Sequence, residues 1–260
     1  MPRVKPIVLK YGGVTVDGPD RLALVARDVI EQARGSRPTV VVVSAMGNMT
    51  DDLIALARTI HPHGNMQVWQ KLAAAGEDIA ANALALAIAE QGGRVVDLNT
   101  HQIGAVAFED GRLKEIKALR LIKHKLGEGY IVVVPGYKGV MPDGTTMPLG
   151  RGASDLLAFA LGGLLGVEWA VVNKDVDGFS PVDPDVVPDA IIFGELDYAQ
   201  AREISDDTVI MDRALELAQA WHVPIRVMRS PSIGPSDGGT IIRYTSTPKE
   251  LEPRRDHIVT

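Results

Sequence analysis

The chain has no cysteine in its 260 residues. That excludes a disulfide framework and any zinc site built on thiolates, and it suits a cytoplasmic protein. Aromatic residues make up only 5% of the sequence, which disfavours a base-stacking platform for nucleic acid. Lys and Arg form no block and the net charge is −6, so no polyanion partner is expected. The histidines are scattered without an HxxxH or HExxH pair, and His61 and His63 in "HPHG" read as loop residues rather than metal ligands. The longest apolar stretch, Leu156 to Val167, is too short to span a bilayer and reads as a buried helix. The charged N-terminus enters a strand at once, with no signal-peptide pattern. These absences predict a cytoplasmic protein with neither a membrane nor a nucleic-acid partner.

What is present is an alternation of short apolar runs and amphipathic segments. It predicts strands over Ile7–Leu9, Thr39–Val43, Arg94–Asp97, Tyr130–Val134, Trp169–Asn173 and Ile225–Met228. Helices are predicted over Arg21–Arg34, Asp51–Thr59, Val68–Glu90, Ile116–Leu126, Ser154–Leu165, Tyr198–Ile204 and Val209–Trp221. Asp20 is placed just ahead of the first helix, and Ser154 with Asp155 at the opening of the helix from Leu156. Strands alternating with helices imply an α/β fold, a mainly parallel sheet covered on both faces. "MPDGTTMPLG" carries the turn chemistry of a hairpin. Gly150–Gly152 is the expected passage from an N-terminal lobe, about 1–150, to a C-terminal lobe, about 151–260.

Five segments carry candidate chemistry. In "IVLKYGG" a strand brings Lys10 to its end and runs into Gly12 and Gly13, where the missing Cβ atoms let backbone approach an anion. In "PLGRGASD" Arg151 stands between two glycines ahead of Ser154 and Asp155; it can pair with a carboxylate through two prongs, or simply be solvated. "VVVVSAMGNMTDD" runs from an apolar strand through Ser44 to Thr50 at a helix start, a junction suited to an anion or equally an ordinary N-cap. In "AAAGED" Gly76 interrupts an Ala-rich helix, which costs about 1 kcal/mol relative to Ala, so close approach by a ligand or another backbone is expected there. Glu77 beside it is either a receptor for a substrate ammonium or a surface glutamate. The fifth segment, "NKDVDGFSPVDPDVVPDA", follows a strand with Lys174, Asp175, Gly178 and Asp183 in a loop able to wrap a nucleotide. It lacks the oxygen spacing and closing glutamate of a calcium loop.

Together these segments resemble the amino acid kinase superfamily, and within it the catalytic domain of the aspartokinase family. "VLKYGGVTV", "VVVVSAMGNMTDDLIALA", "GE" at 76–77, "VVVPGYKGV" and "LGRGASD" fall in the family's order and span nearly the whole chain. The resemblance implies a three-layer αβα sandwich and ATP-dependent phosphoryl transfer to the side-chain carboxylate of L-aspartate or a close analogue. It implies Lys10 and Asp155 as catalytic residues. Thr50, Glu77, Arg151, Ser154 and Tyr137 would then bind the amino acid, with Tyr137 in place of the family's phenylalanine. Gly12, Gly13, Lys174, Asp175, Gly178 and Asp183 would bind the nucleotide, and Mg2+ would be held mainly through the phosphates. A homo-oligomer is implied as well. Regulatory ACT domains usually follow in the family, and the chain ends where they would begin.

The nucleotide loop departs from the pattern. Lys174 stands where the family has threonine, Ser180 where it has tyrosine, Asp185 where it has arginine, and Asp206-Asp207-Thr208 where it has Gly-Ala-Lys. "VIMDRALELA" is more similar to uridylate kinases. Two rival readings therefore stay open: a superfamily kinase with another small acceptor, such as a nucleoside monophosphate, and a non-catalytic nucleotide- or oxyanion-binding storage protein.

Overall fold

The computed structural model describes residues 4–107, 113–136, 138–140, 146–148, 152–182, 187, 190–205, 209–234 and 238–244. Its strands are β1 (Ile7–Tyr11), β2 (Thr39–Val43), β3 (Val95–Asp97), β4 (Ala105–Ala107), β5 (Leu113–Ile116), β6 (Ile131–Pro135), β7 (Lys138–Val140), β8 (Thr146–Pro148), β9 (Trp169–Lys174), β10 (Glu195–Leu196), β11 (Ile225–Arg229) and β12 (Thr240–Ile242). Eight of them form one sheet in the order β10-β12-β11-β9-β1-β2-β6-β3, and β5-β4-β7-β8 form a second. In the large sheet the β11–β12 pair is antiparallel and the other neighbours are parallel. The continuous Val and Ile runs of β1, β2 and β6 are buried at every position, as strands covered on both faces must be.

The helices are α1 (Pro19–Gln32), α2 (Met49–Ile60), α3 (Met66–Ala73), α4 (Ala75–Glu90), α5 (Thr100–Ile103), α6 (Leu119–Gly127), α7 (Ala153–Leu165), α8 (Tyr198–Ser205) and α9 (Asp212–Ala220). Strand alternation sorts the core into two layers. Val8, Val42, Val134, Val172 and Val227 face α6, α7 and α9. Leu9, Tyr11, Val41, Val43 and Val133 face α1 and α4. The result is the αβα sandwich expected. Helix α7 is buried from Ala153 through Gly162, which explains a sequence apolar on all sides.

Several boundaries differ from expectation. The predicted helix Val68–Glu90 is two helices that meet at Ala74, and Gly76 in the first turn of α4 lies tight against α2: a Cβ there would stand 3.2 Å from Ala45 Cβ and from Met49 Cγ. Residues 66–90 are apolar and long enough in total to cross a membrane, yet half of that stretch is buried within the protein. Ile116 ends β5 instead of opening a helix, and α9 begins at Asp212 instead of Val209. Asp20 lies inside the first turn of α1, whose N-cap is Gly18. Helix α7 is capped by Gly152 rather than opened by Ser154; the residue has φ +72°, and a Cβ there would come within 2.2 Å of Met211 Cγ. Thr50 is likewise not an N-cap, since Asn48 takes that place in α2. The expected hairpin is present as antiparallel β7 and β8. Short strands β4, β5, β10 and β12 and the one-turn α5 carry too little periodicity to stand out in the sequence.

Candidate active site

Lys10 occupies the fourth position of β1, in register with Val42 of β2 and Val172 of β9, so its side chain points to the α7 face. There it meets Asp155 in the first turn of α7. Lys10 Nζ stands 2.9 Å from Asp155 Oδ1, and both side chains are almost wholly buried. The approach is close but off the hydrogen-bonding direction, and Oδ1 is buried without a hydrogen bond among the described residues. Lys174, last in β9, places its ammonium 4.0 Å from Asp155 Oδ2 and donates to Val209 O. Two lysines thus flank one buried carboxylate. Burial above all pushes the Lys174 ammonium below its usual pKa; Asp155 opposes that shift and the Lys10 charge adds to it.

The glycines after β1 supply space more than donors. Gly12 N–H is taken by Asn173 O at 3.3 Å. A Cβ on Gly12 would project to 3.9 Å from Lys10 Nζ, so the bare backbone leaves the approach to the ammonium open. Gly13 is needed for packing, since a Cβ there would lie 2.5 Å from Ala45 O.

A second group of candidates assembles beside the first. Glu77, buried in the first turn of α4, accepts the Gly136 N–H at 2.8 Å through Oε2. It is therefore no surface glutamate. Gly136 follows β6 and lies so close to α7 that a Cβ would fall 2.4 Å from Ser154 Cβ. Ser154 Oγ in turn lies 3.0 Å from Ser44 Oγ, at the end of β2. Thr50 sits half-buried at the start of α2, whose Met49 packs on Gly76 beside Glu77. The carboxyl ends of β1, β2, β6 and β9 therefore bring Lys10, Asp155, Lys174, Ser154, Glu77 and Thr50 to one edge of the sheet. Open α/β sheets bind ligands at that edge.

The nucleotide candidates are only partly gathered. Asp175 follows Lys174 directly and is exposed. Gly178 is buried because β12 presses on it: a Cβ would lie 2.4 Å from Thr240 Oγ1, which also accepts the Phe179 N–H at 2.8 Å. Tyr137, Arg151 and Asp183 lie outside the described residues, as do Asp185 and 206–208. Sequence reasoning missed two contributors. Gly136 bridges Glu77 and Ser154, and the pair of Arg229 with Asp177, at 3.0 and 2.9 Å, ties the loop after β9 to the end of β11. The glycine after "VVVP" was a visible sign of close approach, whereas nothing local links Asp177 to a residue 52 positions away.

Known proteins are similar to this chain in sequence and in fold. The model of the amino acid kinase family matches residues 5–229. An aspartokinase of Geobacillus stearothermophilus is 35% identical over 242 residues, 91% of this chain and 58% of that protein. An aspartokinase of Mycolicibacterium smegmatis is 34% identical over 98% of this chain and 60% of that protein. The crystal structure of aspartate kinase from Synechocystis superposes with a TM-score of 0.79 at 30% identity, covering 95% of this chain and 41% of that one. This chain spans roughly three fifths of the length of the curated relatives it matches. With its parallel sheet, its buried lysine–aspartate pair and a match over most of its length, the chain belongs to the amino acid kinase family.

Proposed function

We propose that the protein transfers the γ-phosphoryl group of ATP to the side-chain carboxylate of L-aspartate or a close analogue, forming an acyl phosphate and ADP. The observation that carries this is the buried Lys10–Asp155–Lys174 group, in which two ammonium groups share one carboxylate. Such a surplus of buried positive charge is costly unless an anion enters, and a phosphoryl group supplies one. The relatives bearing the name aspartokinase support the choice of acceptor.

The chemistry asks little of the protein beyond placement. An acceptor carboxylate is already a nucleophile: one of its oxygens bonds to the γ-phosphorus as the bond to the β–γ bridging oxygen breaks, and no base is needed. Lys10, beside the open Gly12, neutralises charge on the group in transfer. Asp155 holds Lys10 in place, and Lys174 offsets charge accumulating on the departing diphosphate. Glu77 keeps one oxygen on Gly136 and directs its charge toward the ammonium of the amino acid, with Ser154 and Thr50 beside it. Arg151 and Tyr137, flanking the described Gly152 and Gly136, complete the acceptor pocket in this reading, and Asp175, Gly178 and Asp183 the nucleotide pocket. The acceptor side is built mainly from residues up to about 150, joined by Arg151 and Ser154, and the nucleotide side from those beyond.

Mg2+ is part of the proposal. Among the described residues no three His, Cys, Asp or Glu side chains cluster as a metal cage. The ion would be carried in on the nucleotide phosphates, and Asp155, whose Oδ1 has no hydrogen bond among the described residues, is the side chain that would help to hold it. When bound it supplies charge neutralisation on the phosphates. A cytoplasmic location belongs to the same reading, as does a homo-oligomer, which the exposed Ile79 and Leu86 on α4 support.

The test is ADP release coupled to an optical readout over a panel of amino acids and nucleoside monophosphates, with hydroxylamine to trap an acyl phosphate. Aspartate-dependent hydroxamate is expected, and Lys10→Ala should lower its rate at least about 100-fold. ADP release with UMP alone would overturn the reading.

A further inference from the structure

The face of the large sheet opposite Lys10 carries a cavity of about 200 Å3. Helices α1 and α4 cover β1, β2 and β6 on that face, and β9 and β11 lie beyond them. The cavity opens there, between Asp28 on α1, Glu168 just before β9, Trp169 and Asn173 along β9, and Arg226 with Met228 on β11. The parallel register explains the grouping, since Arg226 pairs with Val171 and Met228 with Asn173, all on the side away from Lys10.

Two polar groups in this cavity have no partner among the described residues. Asn173 is 2% exposed, and its Nδ2 makes no hydrogen bond. Arg226 Nε is buried and makes none either, while its guanidinium lies 5.9 Å from the centre of the Trp169 ring. An unmade buried hydrogen bond is destabilising, and an apolar residue within β9 would avoid it. The two carboxylates in the lining are already engaged. Asp28 receives the Tyr11 hydroxyl and, at 3.4 Å, the Gln32 amide, and Glu168 is paired with Arg37 at 3.2 Å. The capacity left over is that of donors, one of them cationic.

A ligand that satisfies both donors must accept hydrogen bonds, carry negative charge and be small. A carboxylate meets all three conditions: two acceptor oxygens and a single charge to match one guanidinium. The carboxylates of Asp28 and Glu168 in the lining count against a more highly charged anion. The volume is below the roughly 300–1,000 Å3 of pockets for drug-sized ligands, which limits the guest to metabolite size. We propose that this cavity is a second binding site, on the reverse of the sheet, for a small carboxylate held by Asn173 Nδ2 and the Arg226 guanidinium. The backbone couples it to the phosphoryl site, because Asn173 O accepts the Gly12 N–H and Lys174 is the next residue.

Trp169 lines the cavity and serves as the reporter. In a Trp69→Phe/Trp221→Phe background it is the sole indole, since the chain has three tryptophans. Its emission is titrated with sodium acetate, sodium propionate and glycine, against sodium chloride and sodium phosphate at matched ionic strength. A saturable change with any of the carboxylates and none with chloride or phosphate is expected. Arg226→Met and Asn173→Ala should each weaken it at least tenfold while circular dichroism shows an unchanged fold. The response should persist in Lys10→Ala, which separates this site from the proposed acceptor pocket whatever the fate of the kinase reading. No saturation, an equal response to phosphate, insensitivity to Arg226→Met, or loss in Lys10→Ala would each overturn the proposal.

Discussion

Asp155 is the residue on which the site turns. It is buried against Lys10 and shared with Lys174, so removing its charge leaves two ammonium groups side by side, with only the Asp175 charge acting on Lys174. Asp155→Asn is expected to destabilise by about 3–5 kcal/mol, the range for breaking a buried pair, and to abolish turnover. Urea unfolding alongside the ADP-release assay checks both; an unchanged midpoint would mean that the pair is held elsewhere. Asp28 gives the opposite case. Burial, the largest influence, raises its pKa above the ordinary 3.8, although the Tyr11 hydroxyl and Gln32 stabilise the charged form. A raised carboxyl contributes stability that is fully present below pH 3.8 and is lost as pH climbs through the folded-state value. Asn in its place escapes that loss and still accepts from Tyr11. The melting temperature of Asp28→Asn relative to the native protein should therefore be higher at pH 7 than at pH 3.5. A constant difference would refute the charge argument.

Helix α7 shows what sequence pattern gives at the level of an element and what it withholds. Its apolar run marks a buried helix, and the structure agrees from Ala153 to Gly162. The pattern does not say why Gly162 and Gly163 interrupt it. A Cβ on Gly163 would lie 2.4 Å from Trp221 Cε3, and one on Gly162 would lie 2.9 Å from Val223 Cγ1, so the glycines admit the segment after α9. Gly163→Ala gains about 1 kcal/mol of helix propensity but overpacks the contact, and a net loss of about 1–3 kcal/mol is expected. In a Trp221→Ala background the same substitution should become neutral or stabilising. A double-mutant cycle by denaturant unfolding measures the coupling, and additive effects would place the clash elsewhere. The α3–α4 junction carries the same lesson. The Ala-rich sequence extends through Ala74, and only the structure shows that Gly76, just past the junction, is there to admit Met49 and Ala45.

At the scale of the whole molecule, four parallel strands deliver the candidate residues to one edge, so ligand binding and folding are linked. A non-hydrolysable ATP analogue with Mg2+ at about one hundred times its Kd should stabilise the protein by about 2.7 kcal/mol. Calorimetric melting reads this directly, and Lys10→Ala should reduce the shift; a full shift in that variant would take Lys10 out of the nucleotide phosphate site.

The six strands expected at Ile7, Thr39, Arg94, Tyr130, Trp169 and Ile225 all appear within two residues of their expected ends, and all belong to one sheet. The sequence by itself determined these elements, the mainly parallel α/β class and the family, because burial on both faces leaves a continuous apolar run and close backbone packing leaves glycines beside Lys10. Only the tertiary structure decided that Lys10 meets Asp155 across 145 positions of chain, that Glu77 holds Gly136, and that Asn173 faces a cavity on the other side of the sheet. Those facts rest on strand order and register, where a step of one residue reverses every side chain, and no local pattern encodes them.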